Sequence, residues 1–177
     1  MQTRQLTRMA LFTALTAVLS QIIVPLPFTP VPVSMATAAV MLCGALLTPR
    51  MAFLSQAVYL LLGMAGAPVF SGFGGGLAKV AGPTGGYLLA YPLMALLTAL
   101  LIQRFGQGKT MVTIAAMLAG LALCYLGGSL WLAVSTGRTL VEALMAGVVP
   151  FIAADLAKAV LATVVARALP RSVVQMA

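Results

Sequence analysis

The amino-acid sequence predicts an all-α integral membrane protein, a six-helix transmembrane bundle with re-entrant or capping outer loops. Hydrophobic residues make up 62% of the 177 residues and charged residues only 7%, whereas a soluble domain carries about 25% charged residues. The mean hydropathy is +1.12. So few polar side chains cannot cover a surface that faces water, and we therefore expect the chain to lie in a lipid bilayer.

Proline, glycine and charged residues divide the chain into six apolar runs. The N-terminal run resembles a signal peptide, but further runs follow it, so we interpret it as a retained first helix. The second and third runs are short, and we expect them to be tilted or only partly spanning. No internal repeat or second domain is evident, so residues 1–177 form one domain. The runs are roughly 6–24, 34–48, 51–65, 85–104, 110–135 and 141–169.

Two segments between the runs have unusual compositions. The Pro-rich loop, PLPFTPVPV at 25–33, contains four prolines and cannot be helical. The Gly-rich segment, Gly66–Tyr87, has eight glycines among 22 residues and is expected to be neither a helix nor a span. Glycine permits positive φ and close approach of the backbone to a ligand, and irregular backbone at membrane depth is tolerated where it lines a cavity. The segment is therefore either a loop that covers a ligand or a flexible connector.

The distribution of lysine and arginine predicts the orientation, because cytoplasmic loops carry an excess of these residues. With six spans, both termini lie on the same side. We expect that side, with both termini, to be the cytoplasmic side of a cell (inner or plasma) membrane, so that the Pro-rich loop and the Gly-rich segment are both outside. Basic residues scattered singly do not form a patch for nucleic acid. The inner segments hold Arg4, Arg8, Arg50, Arg104, Lys109, Arg167 and Arg171, the outer loops hold Lys79 and Arg138, and Lys158 lies within a span.

The chain has few of the polar residue types that catalysis requires. The chain has no histidine, its acidic residues are Glu142 and Asp155, and Cys43 and Cys124 lie alone in separate apolar runs. Neither metal binding nor paired-carboxylate catalysis is expected, and the two cysteines are read as small buried helix residues. The nearest match to a P-loop, at 103–110, lacks its first glycine. We therefore expect no enzyme activity, no cofactor and no metal, and any ATPase must be another chain.

Asp155 and Lys158 are the candidate site in the last run. They are three residues apart and share one face of a helix. A charged residue at the centre of a spanning helix costs roughly 2.5–3.5 kcal/mol, and pairing or a polar cavity offsets part of that cost. Two interpretations remain open at this point: an ion pair that joins helices, or a ligand site.

Four segments resemble the signature segments of the BioY family, the biotin-specific substrate-binding (S) components of energy-coupling-factor (ECF) transporters. They are PFTPVPV at 27–33, PVFSGFGGG at 68–76, GPTGGYLLAY at 82–91 and PFIAADLAKAV at 150–160. The resemblance covers the whole chain. It implies capture of biotin from outside, with an ECF transmembrane coupling subunit and separate ATPase subunits as partners. The chain departs from the family pattern at Ala36, where glutamine is common, and at Ala154, where glycine is common.

The resemblance also implies roles for particular residues. Asp155 would accept hydrogen bonds from the ureido N–H groups of biotin, and Lys158 would donate to the ureido carbonyl oxygen. Ala10 and Ala14, one turn apart in the first run, would let the coupling subunit approach closely. The remaining expected ligand contacts are the aromatic side chains, one serine and two glycines at a helix start, namely Phe28, Phe70, Tyr87, Tyr91, Ser71, Gly85 and Gly86.

Two alternatives remain. One is an S component for another vitamin, and the other is a structural membrane subunit without a ligand, in which the Asp–Lys pair only joins helices. The Pro-rich loop and the Gly-rich segment argue against the second, because an assembly subunit has no need of them.

Overall fold

The computed structural model describes residues 3–106 and 109–169, so Arg171 and the C-terminus lie outside the described residues. Within these ranges the chain forms eight α-helices, one 3-10 turn and one small antiparallel hairpin. In chain order the elements are α1 (Thr3–Leu19), β1 (Ile23–Val24), β2 (Val33–Ser34), α2 (Ala36–Leu46), α3 (Pro49–Met64), α4 (Leu77–Ala81), α5 (Gly85–Phe105), α6 (Thr110–Thr136), α7 (Leu140–Gly147), the 3-10 turn (Val149–Phe151) and α8 (Ile152–Ala168).

The six predicted runs are all helical, as α1, α2, α3, α5, α6 and the pair α7–α8, so the all-α bundle is confirmed. Three helical stretches among the described residues are long and apolar enough to cross a membrane. They are α5 with 21 residues, α6 with 27, and α7–α8 with 29. The first three helices are shorter, at 17, 11 and 16 residues. The short second and third runs were expected; the shortness of α1 was not.

The first helix ends earlier than predicted. It stops at Leu19 rather than at Val24, because Ile23 and Val24 form a strand instead. These two residues pair antiparallel with Ser34 and Val33, respectively. The pairing satisfies backbone groups of the chain as it enters and leaves the Pro-rich loop, and it brings the two ends of that loop together.

Two further boundaries differ from the sequence prediction. The last run is broken at the 3-10 turn, because Pro150 has no N–H to donate and its ring obstructs a continuous helix. The Gly-rich segment, expected to contain no helix, includes the five-residue helix α4. Its sequence, LAKVA, contains neither glycine nor proline, and so one helical turn forms between the two glycine clusters.

Helix α5 lies at the centre of the bundle and packs against α2, α3 and α6. Around Thr98 of α5 the neighbouring backbones come very close. A Cβ added to Gly44 of α2 would lie 2.7 Å from the Thr98 Cβ, and one added to Gly120 of α6 would lie 2.4 Å from the Thr98 Oγ1. In lipid no hydrophobic effect drives helices together. Small residues at these contacts stabilise the bundle instead, because they permit close van der Waals packing of the backbones.

This packing predicts a position-dependent effect of adding a methyl group. Gly44→Ala should destabilise the protein by roughly 1–3 kcal/mol, because the Cβ would also lie 2.9 Å from the Ala95 carbonyl oxygen. The matched control is Gly127→Ala, whose Cβ would meet Ala90 at an ordinary 3.5 Å. That change should be neutral or stabilising by up to about 1 kcal/mol. Thermal unfolding of the purified variants in detergent measures both, and equal melting temperatures would contradict the close contact at Thr98.

Candidate functional site

A cavity of about 570 Å³ opens at the end of the bundle where the Pro-rich loop and the Gly-rich segment meet. Pockets for small molecules are typically about 300–1,000 Å³. Residues from α2, α4, α5, α6 and α8 complete its walls. Most of the wall is apolar, including Pro25, Leu26, Val31, Pro83, Leu88 and Phe151. Its polar and charged side chains are Thr29, Ser34, Thr37, Ser71, Lys79, Thr84, Tyr87, Tyr91, Tyr125, Asp155 and Lys158.

Asp155 and Lys158 form a buried ion pair in the cavity wall. The Lys158 Nζ lies 2.7 Å from the Asp155 Oδ1, and the two residues are 7% and 3% exposed, respectively. Their i, i+3 spacing on α8 places them on one helical face, as the sequence predicts. An ion pair out of water is tolerated only if further hydrogen bonds satisfy its remaining donors and acceptors.

Those hydrogen bonds come from three other elements. Thr37 at the start of α2 donates to the Asp155 Oδ1 at 3.1 Å, and the Tyr125 hydroxyl on α6 donates to the other carboxylate oxygen. The Lys158 ammonium donates to the Ser34 carbonyl oxygen at 2.7 Å and to the Thr37 Oγ1 at 3.3 Å. The pair therefore joins α8 to α2, to α6 and to strand β2.

The network leaves different capacities for a ligand on the two charged groups. The three N–H donors of the Lys158 ammonium are all engaged, by Asp155, Ser34 and Thr37. The Asp155 carboxylate, which can accept about four hydrogen bonds, accepts three. A ligand N–H group can therefore bond directly to Asp155, whereas a ligand acceptor must displace a partner of Lys158.

Aromatic rings form one side of the cavity. Phe70 is fully buried, and its ring packs edge-on to Tyr59 with the ring centres 5.6 Å apart. Tyr59 in turn stacks on Tyr91 at 6.4 Å. Gly63 of α3 makes room for the Phe70 ring, because a Cβ there would lie 2.1 Å from its Cζ.

Tyr87 is held between α6 and α7 by two glycines. A Cβ on Gly128 would lie 2.3 Å from the Tyr87 ring, and one on Gly147 would lie 2.1 Å from its hydroxyl oxygen. The hydroxyl donates to the Gly147 carbonyl oxygen at 2.9 Å. Any side chain at either glycine would displace this wall of the cavity.

The Gly-rich segment is tied to the end of α1. The Val69 carbonyl oxygen accepts hydrogen bonds from the Ser20 Oγ at 2.6 Å and from the Tyr59 hydroxyl at 3.1 Å. The Gln21 Oε1 accepts from the Phe73 backbone N–H at 2.7 Å. These contacts hold the segment against the bundle and position Phe70 and Ser71 in the cavity wall.

Glycine conformation shapes the same segment. Gly66, Gly72 and Gly76 have φ angles of 102°, 71° and 86°, a region that residues with a Cβ rarely adopt. Between them, Phe70 and Gly74 exchange two backbone hydrogen bonds of 2.9 and 3.1 Å. The positive φ expected of this segment from its glycine content is therefore present at three of its glycines, and Phe73 also adopts a positive φ, of 55°.

Most of the residues expected at the site line the cavity, namely Asp155, Lys158, Phe70, Ser71, Tyr87 and Tyr91. Phe28 does not: its side chain is 64% exposed and lies outside the cavity wall. Ala36, where the family pattern commonly has glutamine, is buried and also lies outside the wall. Ala10 and Ala14 are exposed on α1, away from the cavity.

Gly85 and Gly86 serve packing at the start of α5 rather than the cavity wall. The Gly85 N–H, expected to be available to a ligand, instead donates to the Gly82 carbonyl oxygen at 3.0 Å. A Cβ on Gly85 would lie 1.6 Å from the Val80 carbonyl oxygen, and one on Gly86 would lie 2.2 Å from the Trp131 Cβ. Both glycines permit close contact with neighbouring backbone and side chains.

Sequence reasoning missed three members of the polar network: Ser34, Thr37 and Tyr125. Ser34 contributes a backbone carbonyl, which no side-chain pattern reveals. Thr37 follows the Pro-rich loop within a segment of small residues, where a hydroxyl is unremarkable. Tyr125 carries the clearest signal, a phenol in the middle of a long apolar run, because a buried tyrosine hydroxyl usually has a partner.

The fold and the cavity define a multi-pass helical membrane protein with a small-molecule pocket at one end of its bundle. The model of the BioY family matches residues 1–175, and the chain belongs to that family. The sequence resemblance is therefore confirmed. So is the expectation that the protein is not an enzyme, since the family is one of transporter components.

Similar proteins span nearly the full length of the chain. A protein of Pyrococcus horikoshii named probable biotin transporter BioY is 41% identical over 169 residues, covering 96% of this chain and 98% of that protein. Biotin transporter BioY2 of Lactococcus lactis subsp. cremoris is 38% identical, covering 94% and 90%. A crystal structure described as the S component for biotin from an ECF-type ABC transporter superposes with a TM-score of 0.88 at 28% identity, covering 95% and 93%.

Proposed function

We propose that this protein binds biotin in the cavity and acts as the S component of an ECF-type transporter. The observation that carries the proposal is the buried Asp155–Lys158 pair in the wall of a largely apolar cavity. It occurs in a chain whose relatives are named biotin transporters. Biotin combines a polar ureido ring with an apolar thiophane ring and valeryl chain, and so it matches a cavity with one polar region and apolar walls.

The hydrogen-bonding capacities suggest how the ureido ring is held. An N–H group of the ring would donate to the remaining acceptor position of the Asp155 carboxylate. The ureido carbonyl oxygen would accept from the Lys158 ammonium in place of Thr37, the longest of the three contacts at 3.3 Å. The apolar part of the ligand would pack against Phe70, Tyr91 and Phe151.

The two alternatives differ from this proposal in what fills the cavity. An S component for another vitamin would use the same fold with a different ligand. A structural subunit without a ligand does not require a cavity of about 570 Å³ next to a buried ion pair. The binding experiment below distinguishes all three, provided that other vitamins are included as competitors.

Replacing the two charged side chains by uncharged ones distinguishes a ligand-binding role of the pair from a purely structural one. Asp155→Asn should weaken biotin affinity roughly five- to 150-fold, because one acceptor oxygen becomes a donor and a buried unsatisfied group costs about 1–3 kcal/mol. Lys158→Met should weaken it as well. Each single change leaves the other charge unpaired and should lower the melting temperature.

The double variant Asp155→Asn, Lys158→Met gives the decisive comparison. Removal of both charges should restore much of the thermal stability, yet biotin affinity should stay poor because the ureido ring has lost both partners. Equilibrium binding of labelled biotin and thermal unfolding measure the two quantities on the same preparations. Near-native affinity in the double variant would show that the pair is architectural.

Transport requires partners that this chain does not supply, and we assign them to an ECF transmembrane coupling subunit and separate ATPase subunits. The proposed docking face is on α1, where Ala10 and Ala14 are both exposed and one turn apart. Small residues at this spacing let a second helix approach closely. Large apolar side chains beside them, Leu11 and Val18, are 62% and 64% exposed and suit contact with lipid or a partner helix.

Enlarging the α1 face should separate binding from transport. Ala10→Leu or Ala14→Leu should abolish biotin uptake by the assembled transporter, whereas the isolated subunit should keep its biotin affinity. Ala122→Leu is a matched control, since Ala122 is an exposed alanine on α6, and uptake should persist. Equal loss of binding and uptake in the α1 variants would place this face inside the protein's own structure instead.

We assign the protein to the cell membrane with both termini in the cytoplasm and the cavity opening outward. The support is the excess of lysine and arginine at the helix ends away from the cavity, namely Arg4, Arg8, Arg50, Arg104 and Lys109, against Lys79 at the cavity. Cysteine labelling in intact cells tests this orientation, because the native Cys43 and Cys124 are both buried. An impermeant thiol reagent should modify the Ala81→Cys variant and spare Arg50→Cys. The reverse pattern would invert the assignment.

A further inference from the structure

The charges of the residues that line the cavity do not sum to zero. Among the described residues these are Lys79, Asp155 and Lys158. Asp155 and Lys158 neutralise each other at 2.7 Å, so the cavity carries one net positive charge, from Lys79. A ligand with a neutral polar ring and one carboxylate matches this charge distribution. An uncharged ligand would leave the positive charge of Lys79 without a negative partner.

Lys79 is placed at the mouth of the cavity by its own helix and by the Gly-rich segment. It is the third residue of α4 and is exposed. Its aliphatic chain passes close to Gly74, where an added Cβ would lie 3.2 Å from the lysine Cε and 3.4 Å from its Cδ. The lysine chain therefore lies beside the Phe70–Gly74 bridge, next to Ser71 and Gly72 in the cavity wall.

Neither of the two acidic side chains, Asp155 and Glu142, is engaged with Lys79. Within residues 3–106 and 109–169, no hydrogen bond or ion pair involves its ammonium group. Asp155 is engaged by Lys158, Thr37 and Tyr125. Glu142, the other acidic residue of the chain, caps the start of α7 by accepting from the Thr139 N–H and hydroxyl, both at 2.9 Å.

We propose that Lys79 binds the carboxylate of the ligand and thereby sets its orientation, with the ureido ring at Asp155 and the acid at the cavity mouth. This inference rests on the proposed function. A carboxylate placed beside Asp155 would meet a like charge in a buried site, which is costly. At the mouth it stays hydrated and gains the lysine charge, so only the neutral part of the ligand is fully removed from water.

Comparing biotin with biotinamide isolates this contact, since the amide keeps the ureido ring and lacks the negative charge. The wild-type protein should bind the acid roughly two- to fivefold tighter than the amide, the range expected for one exposed charge pair. Lys79→Met should remove the preference by weakening the acid alone. Lys79→Glu should invert it, with the amide binding tighter.

Lys109→Met is the matched control, because it removes the same charge from an exposed lysine at the start of α6. Lys109 precedes Tyr125 by 16 positions in the sequence, a helical rise of roughly 24 Å, and its variant should keep the wild-type preference. An unchanged ratio of acid to amide affinity in Lys79→Met and Lys79→Glu would overturn the inference while leaving biotin binding intact. Absence of measurable binding of either compound to the wild-type protein would instead refute the proposed function.

Discussion

The buried ion pair of Asp155 and Lys158 is the interaction on which the rest of the site depends. Two charges inside a bundle that lies in lipid are tolerable only when their remaining donors and acceptors are satisfied. The structure meets that requirement with Thr37, Tyr125 and the Ser34 carbonyl. Because these groups come from α2, α6 and β2, the pair fixes the position of α8 against the bundle. It also fixes the C-terminal end of the Pro-rich loop, through the hydrogen bond from Lys158 to the Ser34 carbonyl oxygen.

Glycine is used in two distinct ways around the cavity. Within helices it removes a side chain where an aromatic ring must lie, as Gly63 does for Phe70 and Gly128 for Tyr87. Within the Gly-rich segment it permits positive φ, as at Gly66 and Gly72. The first use brings large rings into the wall without pushing helices apart, and the second turns the chain back over the opening. A cavity at the end of a short bundle needs both.

Helix α1 contacts two functional regions. Directly after its last residue, Ser20 and Gln21 hold the Gly-rich segment through the Val69 carbonyl and the Phe73 N–H. In its middle, Ala10 and Ala14 are exposed. The Gly-rich segment, which lines the cavity, and the face proposed for the coupling subunit are therefore both attached to α1. A displacement of α1 relative to the bundle would act directly on the hydrogen bonds that hold this segment in place.

The sequence by itself determined the membrane environment, the six helical runs and the Asp155–Lys158 pair. Composition, hydropathy and helical spacing are local properties, and an apolar segment that is exposed to lipid must satisfy its own backbone hydrogen bonds, as a helix does. Only the tertiary structure decided that Phe28 lies outside the cavity, that the Gly85 N–H is occupied, and that Thr37 and Tyr125 complete the network. Thr37 lies 118 positions from Asp155 in the sequence. Contacts of this range depend on how helices pack, which no local pattern encodes.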